Sequence, residues 1–393
     1  MADVKKVRYG IVGIGKQGTW YAKFIFKGLD KNAELAAICD ISKERREWAE
    51  KNLKGVKIFE DYNEMFKSGL VDAVMVETPH YFHPVIVKAA LEANLNVMSD
   101  KPAGVYTKAV RETVEFAKTK PELKCALLLN QRTNKVYREA KKIIDSGALG
   151  KLKRITWNIT NWYRPQAYYD QGGWRGTWAG EGGGVLLNQD PHQLDLFTWL
   201  AGEKITKVWA KAKTVGRKIN VENDVTAWCE FESGATGVFI TSTHEAPGTN
   251  RLEISGDGGK IVISGKNDLS MKLEFTKNDV PEPEFSATNT VFMGKPKTKT
   301  TVVKYSPFEV IKILIKNWGF QHPDVIRNFS NVILGNEDKL IGRYEEGLNG
   351  LTFSNAIHLS SWTGKEIQLP IDEELFISEL EKRKAEEAKS SKK

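Results

Sequence analysis

The chain has 393 residues, 41% hydrophobic and 27% charged, which suits two ordinary domains and excludes a disordered or fibrous protein. No apolar run is long enough to cross a bilayer, and the opening residues carry no apolar signal-peptide core. Of the net charge of +8, half lies in Lys382–Lys393, with six Lys/Arg against two Glu, and no zinc-finger or RNA-binding signature accompanies it, so nucleic acid and membrane are not expected partners.

In chain order, Val7–Val12 reads as a β-rich strand and Gln17–Lys27 as a helix. Leu35–Cys39 and Lys43–Leu53 repeat that alternation. Ala73–Val76, Asn96–Met98 and Cys125–Leu129 read as further strands, with helices near His83–Ala93, Lys108–Lys118 and Lys135–Ser146. Short buried strands alternating with helices predict a doubly wound parallel sheet, an N-terminal Rossmann domain over residues 1–130.

After Gly147 the pattern changes. Lys151–Trp162 alternates, a Trp-, Tyr- and Gly-rich loop runs from Tyr163 to Gly184, and a helix ends near Leu200–Gly202. Lys207–Val215, Asp224–Phe231, Thr236–Thr243, Arg251–Ser255 and Lys260–Ser264 follow as strands. Strands in series predict a second α/β domain, residues 131–380, built on a large open, mostly antiparallel sheet. Lys277–Thr301, with three prolines, reads as a long loop. The late helices His322–Leu334 and Glu345–Trp362 are expected to pack back on the rest. Residues 381–393 form a charged tail that should fray. Cys39, Cys125 and Cys229 are scattered and odd in number, which predicts reduced core thiols, no zinc site and a cytoplasmic location.

Gly13-Ile14-Gly15-Lys16-Gln17-Gly18 is a G-x-G-x-x-G placed between strand and helix. Gly13 allows a tight turn, Gly15 close approach of a pyrophosphate, and Gly18 close helix–strand packing, with the helix N-terminus offering N–H groups to the phosphates. Asp40, 22 residues beyond Gly18, stands where a carboxylate accepts hydrogen bonds from an adenosine ribose. It favours NAD, and NADP stays open because Lys43, Arg45 and Arg46 follow; they are read as solvated helix charges.

Several segments together resemble one family, the glucose–fructose oxidoreductase / inositol dehydrogenase / rhizopine catabolism (Gfo/Idh/MocA) family. Tyr9–Gly18 resembles its opening strand and turn. Thr78-Pro79-His80-Tyr81-Phe82-His83 is similar to T-P-N-x-x-H, and Asp100-Lys101-Pro102 to E-K-P. Gly182-Gly183-Gly184 with Asn188-Gln189-Asp190-Pro191-His192 resembles G-G-G…D-x-x-x-H, and Glu346-Gly347, Asn355-Ala356 and Ser360-Ser361-Trp362 resemble its closing helix. The resemblance implies hydride transfer between nicotinamide and the carbinol carbon of a sugar, cyclitol or glycoside. It implies a cofactor side made by Lys16, Gln17, Thr78, Pro79, His80, His83, Asp100 and Lys101. A sheet that often mediates oligomers implies a homo-oligomer, dimer or tetramer.

Alcohol oxidation needs a proton acceptor with a pKa near working pH. His192 sits in a polar stretch between a Gly-rich loop and an apolar helix, and the resemblance puts the acceptor there. Lys101 follows a parallel strand, where ligands bind, and an ammonium there stabilises a developing alkoxide. The family's Asp falls on Asn188, an amide, which can bind a hydroxyl but cannot be a base. Asp190 either compensates or caps the helix. In the aromatic loop Arg164, Tyr168 and Trp174 are the expected sugar contacts, and Arg132 is expected to face the substrate. The spacing of His80 and His83 does not make a metal site. Three functions fit: a ring-hydroxyl dehydrogenase, perhaps reacting at C3; a redox-assisted glycosidase that retains NAD; and a non-catalytic dinucleotide-binding regulator.

Overall fold

The computed structural model describes residues 6–316 and 321–390. Its contacts divide the chain into two units, one of residues 1–130 with 318–351 and the other of 131–317 with 352–393.

In the first unit β1 (Val7–Val12), β2 (Ala33–Cys39), β3 (Lys57–Phe59), β4 (Ala73–Val76), β5 (Asn96–Ser99) and β6 (Cys125–Leu127) form one sheet. The order is β3-β2-β1-β4-β5-β6 and every pair is parallel. All four residues of β4 are buried, which is why these strands read as continuous apolar runs. The order reverses between β1 and β4, so a crevice opens at the carboxyl ends of the strands there. Lys57–Phe59 and the helix Tyr62–Lys67 were too short to announce themselves by period.

The helix His322–Ile333 belongs to this unit and buries Val325, Ile326 and Phe329 in its core. The Tyr9 hydroxyl lies 2.9 Å from Ser330 Oγ, which donates to Asp30 Oδ2 at 2.8 Å. His322 itself is the helix's first residue.

Among the described residues the second unit carries nine strands: β7 (Leu152–Ile159), β8 (Ile205–Lys213), β9 (Asp224–Phe231), β10 (Thr236–Ser242), β11 (Asn250–Gly256), β12 (Gly259–Ser264), β13 (Lys272–Asn278), β14 (Thr298–Lys304) and β15 (Ile367–Gln368). Their order is β14-β13-β12-β11-β7-β10-β9-β8-β15. Only β7 and β10 run parallel; the other neighbours are antiparallel. One face packs on the helix Pro191–Ala201. Phe197 of that helix lies 5.6 Å from Phe239 and 6.2 Å from Phe231, centroid to centroid, and stacks on Phe353 at 5.4 Å.

Two expectations are corrected. Lys277–Thr301 is not one long loop: it holds the helix Glu282–Thr288 and enters the edge strand β14. Its prolines bracket the helix and do not interrupt it: Pro281 is the N-cap and Pro283 lies in the first turn, where a missing N–H costs nothing. The charged tail does not fray up to Ser390, since the helix Glu373–Ser390 runs through it. Glu387 of that helix is buried and accepts from the backbone N–H of Trp178 and Ala179 and from Asn220 Nδ2, each at 2.9 Å. The last three residues of the expected tail lie outside the described residues. No described helix is long and apolar enough to cross a membrane.

Candidate active site

The nucleotide loop begins where β1 ends. Gly13 adopts φ 89°, and a Cβ on it would stand 2.7 Å from the Glu77 carbonyl oxygen. A Cβ on Gly18 would stand 2.0 Å from the Gly13 carbonyl oxygen. Gly15 is different, because a Cβ there would meet nothing within 4 Å. Two glycines therefore serve the protein's own packing and the third faces open space. Gly15 is also the N-cap of the helix Lys16–Phe26, with no side-chain cap and no acid in the first turn. That leaves helix N–H donors and their partial positive charge for an anion. The residues present fit a dinucleotide diphosphate.

Asp40 is buried at the end of β2. Its Oδ2 accepts from Ile14 N–H and its Oδ1 from Ser42 N–H, both at 2.8 Å. Of the three cations beyond it, Lys43 is solvated as expected, pairing loosely with Glu47. Arg45 and Arg46 are not: Arg45 Nη1 donates to the Ile14 carbonyl at 2.7 Å, and Arg46 Nη1 donates to the Asp40 and Ile41 carbonyls while Nη2 pairs with Glu60. They brace the loop. Asp40→Ser is expected to weaken NAD about tenfold to a hundredfold, the weight of a charge-assisted hydrogen bond, and NADP much less, since Arg45 stays. Fluorescence titration of both cofactors checks this.

Beneath the loop, burial and the neighbouring Asp100 push the Glu77 carboxyl well above the usual range, with Lys101 opposing. Asp100 Oδ1 accepts from Lys101 N–H at 2.8 Å, and the Lys101–Pro102 peptide is cis. Lys101 thus directly follows β5, at the carboxyl edge of the sheet that carries the glycine loop. His83, expected beside the cofactor, is turned inward. Its Nδ1 lies 2.6 Å from the Pro102 carbonyl and Nε2 2.7 Å from the Thr78 carbonyl. Burial lowers its pKa against those two bonds, and its role is to tie Thr78 to Pro102. His80 is buried in the short turn before it, the rings 5.9 Å apart. Thr78 and Pro79 follow β4, while Lys16 and Gln17 are exposed on the helix's first turn.

In the second unit the glycine run Gly182–Gly184 leads to the helix Pro191–Ala201. Two carboxylates that sequence reading missed brace the chain here, one on this run and one on the residues flanking it. Glu222 accepts from Gly184 N–H with both oxygens at 2.9 Å and from Leu186 N–H at 3.1 Å. His358 Nε2 lies 3.1 Å from Glu222, and its ring stacks on Trp362. Glu181 accepts from Gly176 N–H at 2.8 Å and from the Asn188 amide. Burial pushes the Glu181 carboxyl up to about 7. The only sequence hints were acids beside a glycine run and in the Glu222-Asn223-Asp224 turn. His192 is the second residue of the helix, half-buried. Asp190 holds the N-cap position and is buried, but its side chain closes no cap bond.

The raised Glu181 sets a pH dependence. The folded protein keeps this proton between about pH 4.5 and about 7, where the unfolded chain has lost it. Stability therefore falls as pH rises through that window, by of order 3 kcal/mol. Glu181→Gln is expected to remove that part of the slope, read as urea midpoints at pH 5 and 7.5.

Arg132 is corrected. It was expected to face substrate, but its Nε and Nη2 bind both oxygens of Asp195 at 2.9 and 2.7 Å, in the interior. A strand-end arginine looks alike in sequence whether its carboxylate comes from a ligand or from a residue 63 positions on. Arg132→Met is expected to cost about 3–5 kcal/mol by breaking this buried ion pair, measured by chemical denaturation. Arg164 and Tyr168 do meet, guanidinium to ring centroid 5.1 Å, and the Tyr168 hydroxyl accepts from Gln189 Nε2 at 3.4 Å. Trp174 lies 4.7 Å from the Arg175 guanidinium.

A parallel β3-β2-β1-β4-β5-β6 sheet with a glycine cradle at its reversal point, an acid at the end of β2 and a lysine at the end of β5 defines an NAD-dependent oxidoreductase acting on CH–OH groups. The chain belongs to the Gfo/Idh/MocA oxidoreductase family: its NAD-binding Rossmann model matches residues 7–127 and its C-terminal domain model residues 137–262. Over 279 residues the chain is 25% identical to myo-inositol 2-dehydrogenase of Thermotoga maritima, covering 70% of this chain and 80% of that protein. It is 26% identical to the scyllo-inositol 2-dehydrogenase (NAD(+)) of Bacillus subtilis, covering 66% and 74%. Among solved structures, the WlbA dehydrogenase of Bordetella pertussis in complex with NADH and UDP-GlcNAcA is 26% identical with a TM-score of 0.75, covering 94% of this chain and 100% of that one. The scyllo-inositol dehydrogenase of Lactobacillus casei with bound NAD(H) and scyllo-inositol is 25% identical with a TM-score of 0.67, covering 93% and 99%.

Proposed function

We propose that this protein oxidises a ring hydroxyl of a sugar, cyclitol or glycoside, with His192 taking the hydroxyl proton and Lys101 stabilising the alkoxide. Bound NAD supplies the hydride acceptor. The observation that carries the reading is Lys101 at the carboxyl edge of β5, in the same sheet as the open cradle at Gly15. An ammonium there lowers the cost of negative charge on the carbinol oxygen. Asn188, its amide N–H held by Glu181, binds a neighbouring hydroxyl. Tyr168 and Trp174 border the sugar ring, and the Arg164 guanidinium, held against Tyr168, orients it. The relatives named for inositols and the one bound to a sugar nucleotide share a ring carbinol, which is the common substrate element taken here. Buried unpaired thiols at Cys39 and Cys229 agree with a reducing cytoplasm, and a dimer or tetramer is the proposed assembly.

The test is a screen of NAD and NADP against sugars, inositols and glycosides, reading the absorbance of the reduced cofactor. Stoichiometric reduced NAD with a ring alcohol is expected. Cleavage of a glycoside without net consumption of NAD would replace this reading with the redox-assisted glycosidase, and dinucleotide binding with neither reaction would leave the regulator.

A further inference from the structure

Three guanidinium groups gather on the aromatic loop of the second unit. Arg164 lies over the rings of Tyr168 and Trp162, at 5.1 and 5.8 Å from their centroids. Arg175 lies over Tyr168 and Trp174, at 5.6 and 4.7 Å. Arg217 lies over Tyr163 at 5.4 Å. All three are half-buried. Their hydrogen bonds run to backbone carbonyls: Arg164 Nη1 to Tyr163 O at 3.0 Å, Arg217 Nε to Arg164 O at 2.8 Å and Arg217 Nη1 to Gly216 O at 2.7 Å. Arg175 Nε is buried with no acceptor. Among the described residues none of the three forms an ion pair.

Two arginines elsewhere in the chain are held differently. Arg132 has Asp195 and Arg8 has Asp72, each held by two guanidinium nitrogens. Asp170, which lines the cavity beside Arg175, accepts from the Gln166 amide, and Glu181, whose carboxyl feels the Arg175 charge, accepts from Gly176 and Asn188. Beside Arg175 opens a cavity of about 430 Å³, lined also by Tyr169, Asp170, Thr177, Lys218 and Asn220, so a second cation, Lys218, faces that cavity with Arg175.

We propose that Arg164, Arg175 and Arg217, with Lys218, form an anion-recognising subsite, and that the substrate carries a phosphate or carboxylate beyond its reacting ring. The proposal rests on the reading that this loop belongs to the substrate site. Cation–π attraction to a ring face holds a guanidinium in place without using up its N–H donors, which stay suited to bidentate binding of an oxyanion. A partly desolvated guanidinium with no direct ion pair is costly, and a bound anion relieves that cost.

Calorimetric titration of the full-length protein with NAD present, at low ionic strength, compares a hexose phosphate, a hexuronate and the neutral hexose. At least one anionic ligand is expected to bind about tenfold or more tightly than the neutral one, less so as salt rises, and the arm that shows the preference names the group. The double variant Arg164→Gln/Arg175→Gln is expected to lose the preference while keeping its NAD affinity and thermal midpoint. Arg175→Lys, with the charge but not the fork, recovers part of it. Lys218→Met, at the cavity rim, lowers the preference without touching the stacked rings. Equal binding of neutral and anionic sugars, or a preference that survives the double variant, overturns the proposal. Reduced-cofactor absorbance in the same samples keeps the two readings apart: neutral sugars oxidised without preference remove only the anion subsite, and anion binding with no hydride transfer removes only the proposed reaction.

Discussion

His192→Ala is expected to lower kcat on a ring alcohol by about 10²–10⁴-fold, the usual contribution of a positioned general base, with NAD binding unchanged. The two effects separate because the cofactor cradle lies between β1 and the helix Lys16–Phe26, whereas His192 stands on the first turn of the helix Pro191–Ala201. Stopped-flow measurement of reduced NAD gives the rate, and tryptophan fluorescence the cofactor affinity. The acid limb of the kcat/KM profile should vanish with the imidazole, leaving a residual rate that rises with hydroxide. A variant that turns over like the wild type would remove His192 from the reaction and leave the fold-level assignment standing.

The second expected result contrasts two glycines three residues apart. Gly18→Ala puts a methyl 2.0 Å from the Gly13 carbonyl oxygen. No side chain can swing aside there, because the obstacle is backbone, so the turn itself must shift. Overpacking of this kind costs about 2–3 kcal/mol, and a displaced cradle loses roughly a hundredfold in NAD affinity. Gly15→Ala adds the same methyl where nothing lies within 4 Å. The apo protein should keep its stability, and only NAD binding should fall. Thermal midpoints with and without NAD distinguish the two. If Gly15→Ala left NAD affinity intact, the open space over Gly15 would not be the diphosphate site.

Much of the fold was legible because its signals are local. Short apolar runs separated by helices mark a two-sided parallel sheet, and alternation in Asp224–Phe231 marks a sheet with one face covered. The edge elements of the second unit escaped notice for the same reason. The strand Thr298–Lys304 is exposed along nearly its whole length and shows no apolar period. The tail helix looked like a fraying charged end, since nothing in its sequence says that Glu387 caps a loop some 200 residues earlier.

The site divides along the same line. Sequence by itself determined the glycine cradle, the acid after β2, the lysine after β5 and the polar stretch ending in His192, because each is a short motif whose geometry follows from adjacent residues. Tertiary structure decided partnership. It gave Arg132 to Asp195, turned His83 onto two carbonyls, set Glu222 against the glycine run and Glu181 against Gly176 and Asn188, and among the described residues left Arg164, Arg175 and Arg217 without a direct ion pair. A buried charge or hydrogen-bonding group must find its complement in space, and chain distance places no limit on where that complement comes from.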